Sequence, residues 1–344
     1  MHKLFMKHIL TALAVLTLAS CAKNEVTIHV TNPTENGPKV VRLQAVNENI
    51  IRVTSTAESQ LRDRKSLVVV PSSFRGKTKI GANGDTVALS TSYMTAYVLR
   101  TTGQVWVNRH DGKPLLKEMA NSPRFTPYTC TQVDVNNMEI SYEGWTYAVT
   151  FDNLYNEEGL FGLGQHQADE WNWKGRDEEL YQYNTKVSLP IIFSTEGYGL
   201  MFDTYSLSRW GNPEPYKALE ELFDVDTVAL PYSSTPLLPS SPKTIVYEGT
   251  ITPRATGEYR FLHYYSGYQQ LFIDGQPLSS TIWRTAWNPN ERKYRYYMEA
   301  GRPYRIRLTW QPDGDVAYCS LTAHAPETPE QHQQLRFWSE MNPN

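Results

Sequence analysis

Residues Gly159 to Trp210 read GLFGLGQHQADEWNWKGRDEELYQYNTKVSLPIIFSTEGYGLMFDTYSLSRW, and this stretch decides the fold. It opens on Gly162-Leu163-Gly164-Gln165, where two residues without a Cβ permit a tight backbone and place Gln165 and His166 just beyond it. An aromatic run, Trp171-Asn172-Trp173-Lys174, comes next. Tyr181-Gln182-Tyr183-Asn184-Thr185 and Gly197-Tyr198-Gly199-Leu200 complete the pattern.

Working outward toward the N-terminus, Val26 to Phe151 predicts only strands. Ile50 to Val53, Leu67 to Val70, Val87 to Leu89, Tyr93 to Arg100, Gln104 to Asn108 and Trp145 to Phe151 are short β-branched or aromatic runs bounded by Gly, Asn, Asp and Pro. Thr101-Thr102-Gly103 and His110-Asp111-Gly112-Lys113 place glycine where a hairpin turn needs a positive φ. Strands at this spacing predict a large β-sandwich.

Toward the C-terminus, Leu230 to Pro242 is a Pro/Ser linker that cannot join a sheet ladder. A second β module starts at Val246-Tyr247-Glu248-Gly249. It continues through Thr250 to Pro253, Gly257 to Phe261, Leu271-Phe272-Ile273-Asp274-Gly275-Gln276, Met298-Glu299-Ala300-Gly301 and Tyr304 to Leu308. After Pro326 comes Gln333-Gln334-Leu335-Arg336-Phe337-Trp338-Ser339-Glu340.

The Gly162 to Gln165, Trp171 to Lys174, Tyr181 to Thr185 and Gly197 to Leu200 features, in this order, resemble the β-sandwich that precedes the catalytic barrel of glycoside hydrolase family 31, especially its bacterial α-xylosidases. The resemblance runs from Val26 to about Pro242 and implies a mutarotase-like sandwich. Residues Thr244 to about Ala325, with their Ile-Asp-Gly and Glu-Ala-Gly turns, resemble the anthrax protective-antigen-type module of carbohydrate enzymes and adhesins. The fold expected is therefore all-β. A signal and lipobox occupies 1–21, the sandwich 22–242, the inserted protective-antigen-type module 243–326, and the sandwich returns over 327–344. The family's catalytic aspartates lie on a (β/α)8 barrel in Trp-x-Asp-Met-Asn-Glu or Lys-x-Asp-Phe-x-Glu motifs, and neither motif occurs here. A barrel takes about 250 residues, and about 18 follow Pro326, so the resemblance implies a portion truncated before the barrel, with no catalytic residue of its own.

The first residues read as an address. Lys3 and Lys7 precede an apolar run, Ile9 to Leu18, too short to span a bilayer, and Leu18-Ala19-Ser20-Cys21 follows. This resembles a bacterial lipoprotein signal, which implies a membrane anchor on Cys21 in the cell envelope. No acidic run follows, so periplasmic and outer-surface display both stay open. The 33 Lys plus Arg against 36 Asp plus Glu give a net charge of −3, which implies no nucleic-acid partner. Cys130 and Cys319 read as buried free thiols rather than a disulfide, and no Cys/His spacing suggests a metal or cofactor.

The 22 Tyr and 9 Trp suit strands and also stack on sugar rings. Asn184 stands near the place where relatives touch substrate with an aspartate; here an amide meets the sugar or stabilises its own loop. Gln165 and His166 read either as substrate contacts or as structural hydrogen-bonders. Asp169, Glu170, Asp177, Glu178 and Glu179 read as solvated loop charges balanced by Lys174 and Arg176, rather than an acid/base pair. An aldose-epimerase reading would need His166 facing Glu196 or Glu143. In the module, Trp283, Trp287, Tyr294, Tyr296 and Tyr297 surround Asn288-Pro289-Asn290; Trp283 is expected in the core and Trp287 on the surface as a sugar-stacking ring. The expected ligand is a xyloglucan-type oligosaccharide. The alternative from another class is a stand-alone, non-catalytic carbohydrate-binding lipoprotein.

Overall fold

A computed structural model describes residues 24–62, 65–70, 74, 76–133, 136–166, 170–182, 186–226, 244–313 and 317–341. Cys21 and Asn184, and the Pro/Ser linker through Pro242, lie outside these residues. The structure is all-β, with only two short helices, Leu219–Leu222 and Pro329–Gln333, among the described residues. No helix among them is long and apolar enough to cross a membrane. Every strand pairing described is antiparallel, whereas a (β/α)8 barrel is built from parallel strands.

The chain divides into two compact units, 1–121 and 122–344. The first holds a three-stranded sheet (Glu25–His29, Val40–Asn47, Ile50–Thr56) and a five-stranded meander from Lys79–Asn83 to Pro114–Lys117. Alternation drives their packing. Val41, Leu43 and Ala45 on one strand, and Leu89, Ala96 and Val98 on others, point inward and are fully buried together. Gly103 and Gly112 take φ of +78° and +88°, as the hairpin reading requires. Leu67 to Val70, expected as a strand, is not one and is mostly exposed. The Ser66 hydroxyl accepts from the Val68 and Val69 N–H groups at 3.2 and 2.8 Å, so those donors bond locally and not across a ladder.

The second unit contains a five-stranded sheet ordered Glu178–Leu180, Ser208–Trp210, Leu335–Met341, Glu139–Phe151, Arg124–Val133. Leu335–Met341 thus rejoins the sheet in its middle, after the module, with Phe337 opposite both Val149 and Trp210. A smaller sheet joins Leu160–Gln165, Val187–Ser194 and Gly199–Met201.

The module's core lies between two sheets. One carries Phe223–Asp226, Ile245–Pro253, Tyr304–Gln311 and Gly267–Ile273, with Gln276–Pro277 and Ile282–Arg284 pairing onto the last; the other carries Asn290–Met298, Gly257–Tyr265 and Cys319–His324. Tyr259, Phe261, Leu271, Ile306, Leu308 and Trp310 fill it. Trp310 is the core tryptophan, its indole N–H donating to the Ser266 carbonyl at 2.7 Å, and Trp283, expected there, is half exposed. The misreading has a simple cause: strand Tyr304–Gln311 runs through the sheet interior, whereas Ile282–Arg284 pairs only along Gly267–Ile273. Cys319 and Cys130 are both free thiols, but only Cys319 is buried, and both belong to the 122–344 unit.

Candidate functional site

The Gly162-Leu163-Gly164 turn is a bulge in the ladder between Leu160–Gln165 and Val187–Ser194. Its three residues take φ of +135°, +63° and +94°. A Cβ on Gly164 would lie 2.1 Å from the Val187 carbonyl oxygen, and one on Gly162 2.4 Å from that of Ile191, so only glycine fits. The bulge turns His166 inward. Its Nε2 sits 2.6 Å from the Leu163 carbonyl, its Nδ1 3.4 Å from Glu178 Oε1, and its ring meets Trp173 edge-on. A side chain enclosed this way holds structure and does not reach a ligand.

Gln165, by contrast, is exposed, directly opposite Val187. The same face of that small sheet carries exposed Phe161, Leu189, Phe193 and Met201. Phe161 pairs with Phe193 across the ladder, which makes the face a continuous apolar surface bordered by Gln165.

The Trp171 to Lys174 run has a division of labour. Trp173 is buried, donating its indole N–H to the Gly162 carbonyl at 3.1 Å and accepting the Trp210 indole N–H at 2.9 Å on its own carbonyl. The Asn172 amide oxygen accepts from the Leu160 and Lys174 N–H groups at 2.9 and 3.1 Å. Trp171 points out, 84% exposed.

The carboxylates that follow are not solvated loop charges as expected. Asp177 and Glu178 are buried where strand Glu178–Leu180 meets the module. Arg260 reaches Asp177 at 2.5 Å and Glu327 at 2.9 Å; Lys293 lies 3.6 Å from Asp177 and 3.1 Å from Glu178; Lys186 lies 2.6 Å from Glu178. The Tyr216 hydroxyl donates to Asp177 at 2.8 Å and stacks on His324. Burial alone would raise the Asp177 carboxyl, but Lys293 and Arg260 outweigh it and hold the group below the usual carboxylate range. Glu178 is held low in the same way, burial being overcome by Lys293, His166 and Lys186. Lys293, although burial opposes its charge, is pushed well above the ordinary lysine value by Glu178 and Asp177. Each carboxylate is locked ionised against cations. Neither can cycle a proton as a general acid or base needs to. Glu170, paired with Arg176 at 3.0 Å, and Glu179, 3.5 Å from Arg209, stay partly exposed as the sequence suggests, while Asp169 lies outside the described residues.

The module's aromatic cluster separates into two sets. Tyr294 is buried and accepts from the Gln269 amide at 2.9 Å, and Tyr296 packs edge-on against Tyr304. Trp287, 95% exposed, tops a turn closed by the Asn288 N–H on the Thr285 carbonyl at 3.1 Å. Trp283 is 48% exposed and its strand partner Tyr268 is 44% exposed. Tyr268 carries no motif and was not singled out by sequence. Its outward phase follows only once the buried alternation of Gln269, Leu271 and Ile273 is known.

A family model for the PA14 domain matches residues 210–321. An α-xylosidase of Saccharolobus solfataricus is 26% identical over 168 residues, 48% of this chain and 22% of that protein. An uncharacterized family 31 glucosidase of Pseudescherichia vulneris is 26% identical over 187 residues, 51% of this chain and 33% of that protein. The chain thus spans a third or less of the curated relatives it matches. The crystal structure of a family 31 α-xylosidase from Xanthomonas citri superimposes with a TM-score of 0.78 at 25% identity, covering 93% of this chain and 37% of that one. By sequence and by fold this all-β chain is similar to glycoside hydrolase family 31 α-xylosidases, and residues 210–321 match the PA14 domain.

Proposed function

We propose that this chain is the N-terminal, substrate-positioning portion of a lipid-anchored family 31 glycosidase, an α-xylosidase acting on xyloglucan oligosaccharides, and that it carries no hydrolytic centre of its own. The observation that supports this reading most is the superposition on an α-xylosidase over 93% of the chain but only 37% of that enzyme. The apolar face of Phe161, Leu189, Phe193 and Met201 agrees with it, as a surface fitted to further protein. Substrate contacts would come from Gln165 and Asn184, the latter outside the described residues, and from exposed Trp287. His166 is withdrawn from that set by its enclosure. Retaining hydrolysis needs two carboxyl groups about 5 to 5.5 Å apart and free to attack and to exchange a proton. The buried carboxylates Asp177 and Glu178 are fixed in ion pairs instead. The purified chain is therefore expected to turn over neither an aryl α-xyloside nor an aryl α-glucoside. Activity that survives repurification and vanishes when an acidic residue of this chain is changed would overturn the reading.

Anchoring through Cys21, in the envelope of a bacterium, belongs to the same proposal and is supported by the Lys3 to Cys21 pattern alone. Acyl chains supply most of the membrane affinity of a protein without a spanning helix. Cys21→Ser is expected to move the protein from the membrane to the soluble fraction on fractionation of expressing cells. Unchanged sedimentation with membranes would refute the anchor.

A further inference from the structure

One sheet of the module turns its outer face away from the module core, and that face is neither uniformly polar nor covered. Along Gly267–Ile273 the inward residues Gln269, Leu271 and Ile273 are buried, which leaves Tyr268, Gln270 and Phe272 facing out. The strands beside it continue the face. Tyr268 has Trp283 on one side and Gln311 on the other, and Thr309 stands opposite Gln270. The opposite sheet has its outer face engaged by Asp177 and Tyr216 through Arg260 and His324, so among the described residues this is the module's uncovered face.

Two details distinguish it from scattered exposed aromatics. The rings of Tyr268 and Trp283 are neighbours, 6.3 Å between centroids and inclined at 45°, so together they form a shallow platform. The Trp283 ring is also held, its indole N–H donating to Asp313 Oδ2 at 2.7 Å. A tryptophan fixed in orientation yet half uncovered forgoes burial of a large apolar area while having already lost its rotational freedom. That combination suits a ligand with a flat apolar face and a rim of hydroxyls. The rim has partners at hand: the Gln311 amide, the second oxygen of Asp313, and the Thr309 hydroxyl oxygen as an acceptor, its proton being donated to the Gln270 carbonyl at 3.3 Å. At the Trp283 end of the face the Asp313 carboxylate opposes anionic ligands, and the one cation over an aromatic ring of this face among the described residues, Arg307 over Phe272, stands at the other end of the strand.

We infer that Trp283 and Tyr268, with Gln311 and Asp313, form a binding platform for pyranose units of a neutral polysaccharide, separate from Trp287 and from the Gln165 region. The inference deepens the carbohydrate-recognition reading above by naming a second surface and the charge class of its ligand. The aromatic rings supply stacking area and the amide and carboxylate fix hydroxyl orientation.

The test is affinity electrophoresis of the full chain through gels containing xyloglucan or polygalacturonate, with matched thermal unfolding of each variant. Trp283→Ala and Tyr268→Ala are each expected to weaken retention by xyloglucan about tenfold or more. Tyr93→Ala, which removes an exposed ring in the 1–121 unit, is expected to leave this retention in place, and polygalacturonate should not retard the wild-type chain. Full retention of Trp283→Ala, or loss confined to Trp287→Ala, would overturn the platform while leaving the broader reading intact. Equal retardation by polygalacturonate would overturn it too. A wild-type chain retained by no neutral polysaccharide would also overturn it, and calorimetry with xyloglucan oligosaccharides would then judge the broader reading separately.

Discussion

Arg260→Ala is expected to cost about 3–5 kcal/mol of stability, read as a lowered denaturant midpoint at unchanged slope. The guanidinium is buried between Asp177 and Glu327, two carboxylates that themselves have little access to water. Removing it leaves Asp177 dependent on Lys293 at 3.6 Å and Tyr216 at 2.8 Å, and leaves Glu327 beside Arg336 at 2.7 Å. The loss comes from stranding buried charge and not from the deleted contact itself. An exposed control makes the comparison sharp. Arg62, 2.8 Å from Glu58 on the surface, should cost no more than about 1 kcal/mol when changed to alanine. Equal costs for the two variants would mean that the interior network adds nothing beyond ordinary surface pairing.

The second large effect is acid sensitivity, in two windows. His263 lies fully buried in the module core, beside Tyr265, Gln269 and Cys319, and burial lowers its pKa to about 3 despite the Gln269 side chain. A lowered histidine pKa means the unfolded chain binds the proton first. Its contribution is therefore complete above the unfolded value near 6.5 and is lost as pH falls from there toward 3. Burial lowers His324 in the same direction. Asp177 and Glu178 are held low, so their contribution is complete above the ordinary carboxylate range and disappears below it. Stability should fall by several kcal/mol, on the order of what one such buried group supplies, between pH 6.5 and 3, and fall further below 4 as the carboxylates protonate. His263→Gln should flatten the upper window while leaving the lower one. Burial raises the Glu118 and Glu291 carboxyls, which work in the opposite sense as pH falls, so a profile between pH 6.5 and 4 that His263→Gln leaves unchanged is the result that would show His263 is not buried as described.

The all-β fold was legible because strand periodicity and glycine turns are local signals. Gly103 and Gly112 are examples: a positive φ at a hairpin can be read from two or three residues. Leu67 to Val70 failed for a local reason of the opposite kind, since a serine hydroxyl took the donors a strand would have used. The site was legible only in part. Asp177 and Glu178 look solvated beside Lys174 and Arg176 in the chain, yet their partners Arg260 and Lys293 come from the module, remote in sequence. Burial decided by tertiary pairing leaves no trace in composition. Trp283 shows the same limit, because core and surface tryptophans carry identical letters and only strand order separates it from Trp310.

The place of Leu335–Met341 has a kinetic consequence. This strand fills the slot between Ser208–Trp210 and Glu139–Phe151, with Trp145 paired to Met341 and Phe151 to Leu335. During synthesis, Glu139–Phe151 emerges early and can pair with Arg124–Val133 at once, since their contacts are close in sequence. Its other edge waits until the entire module has been made. Closing so distant a contact is slow, and an open strand edge meanwhile invites pairing with other chains. A module able to fold first would shorten the effective loop that must be closed, which makes its compact core an aid to completing a sheet it does not belong to.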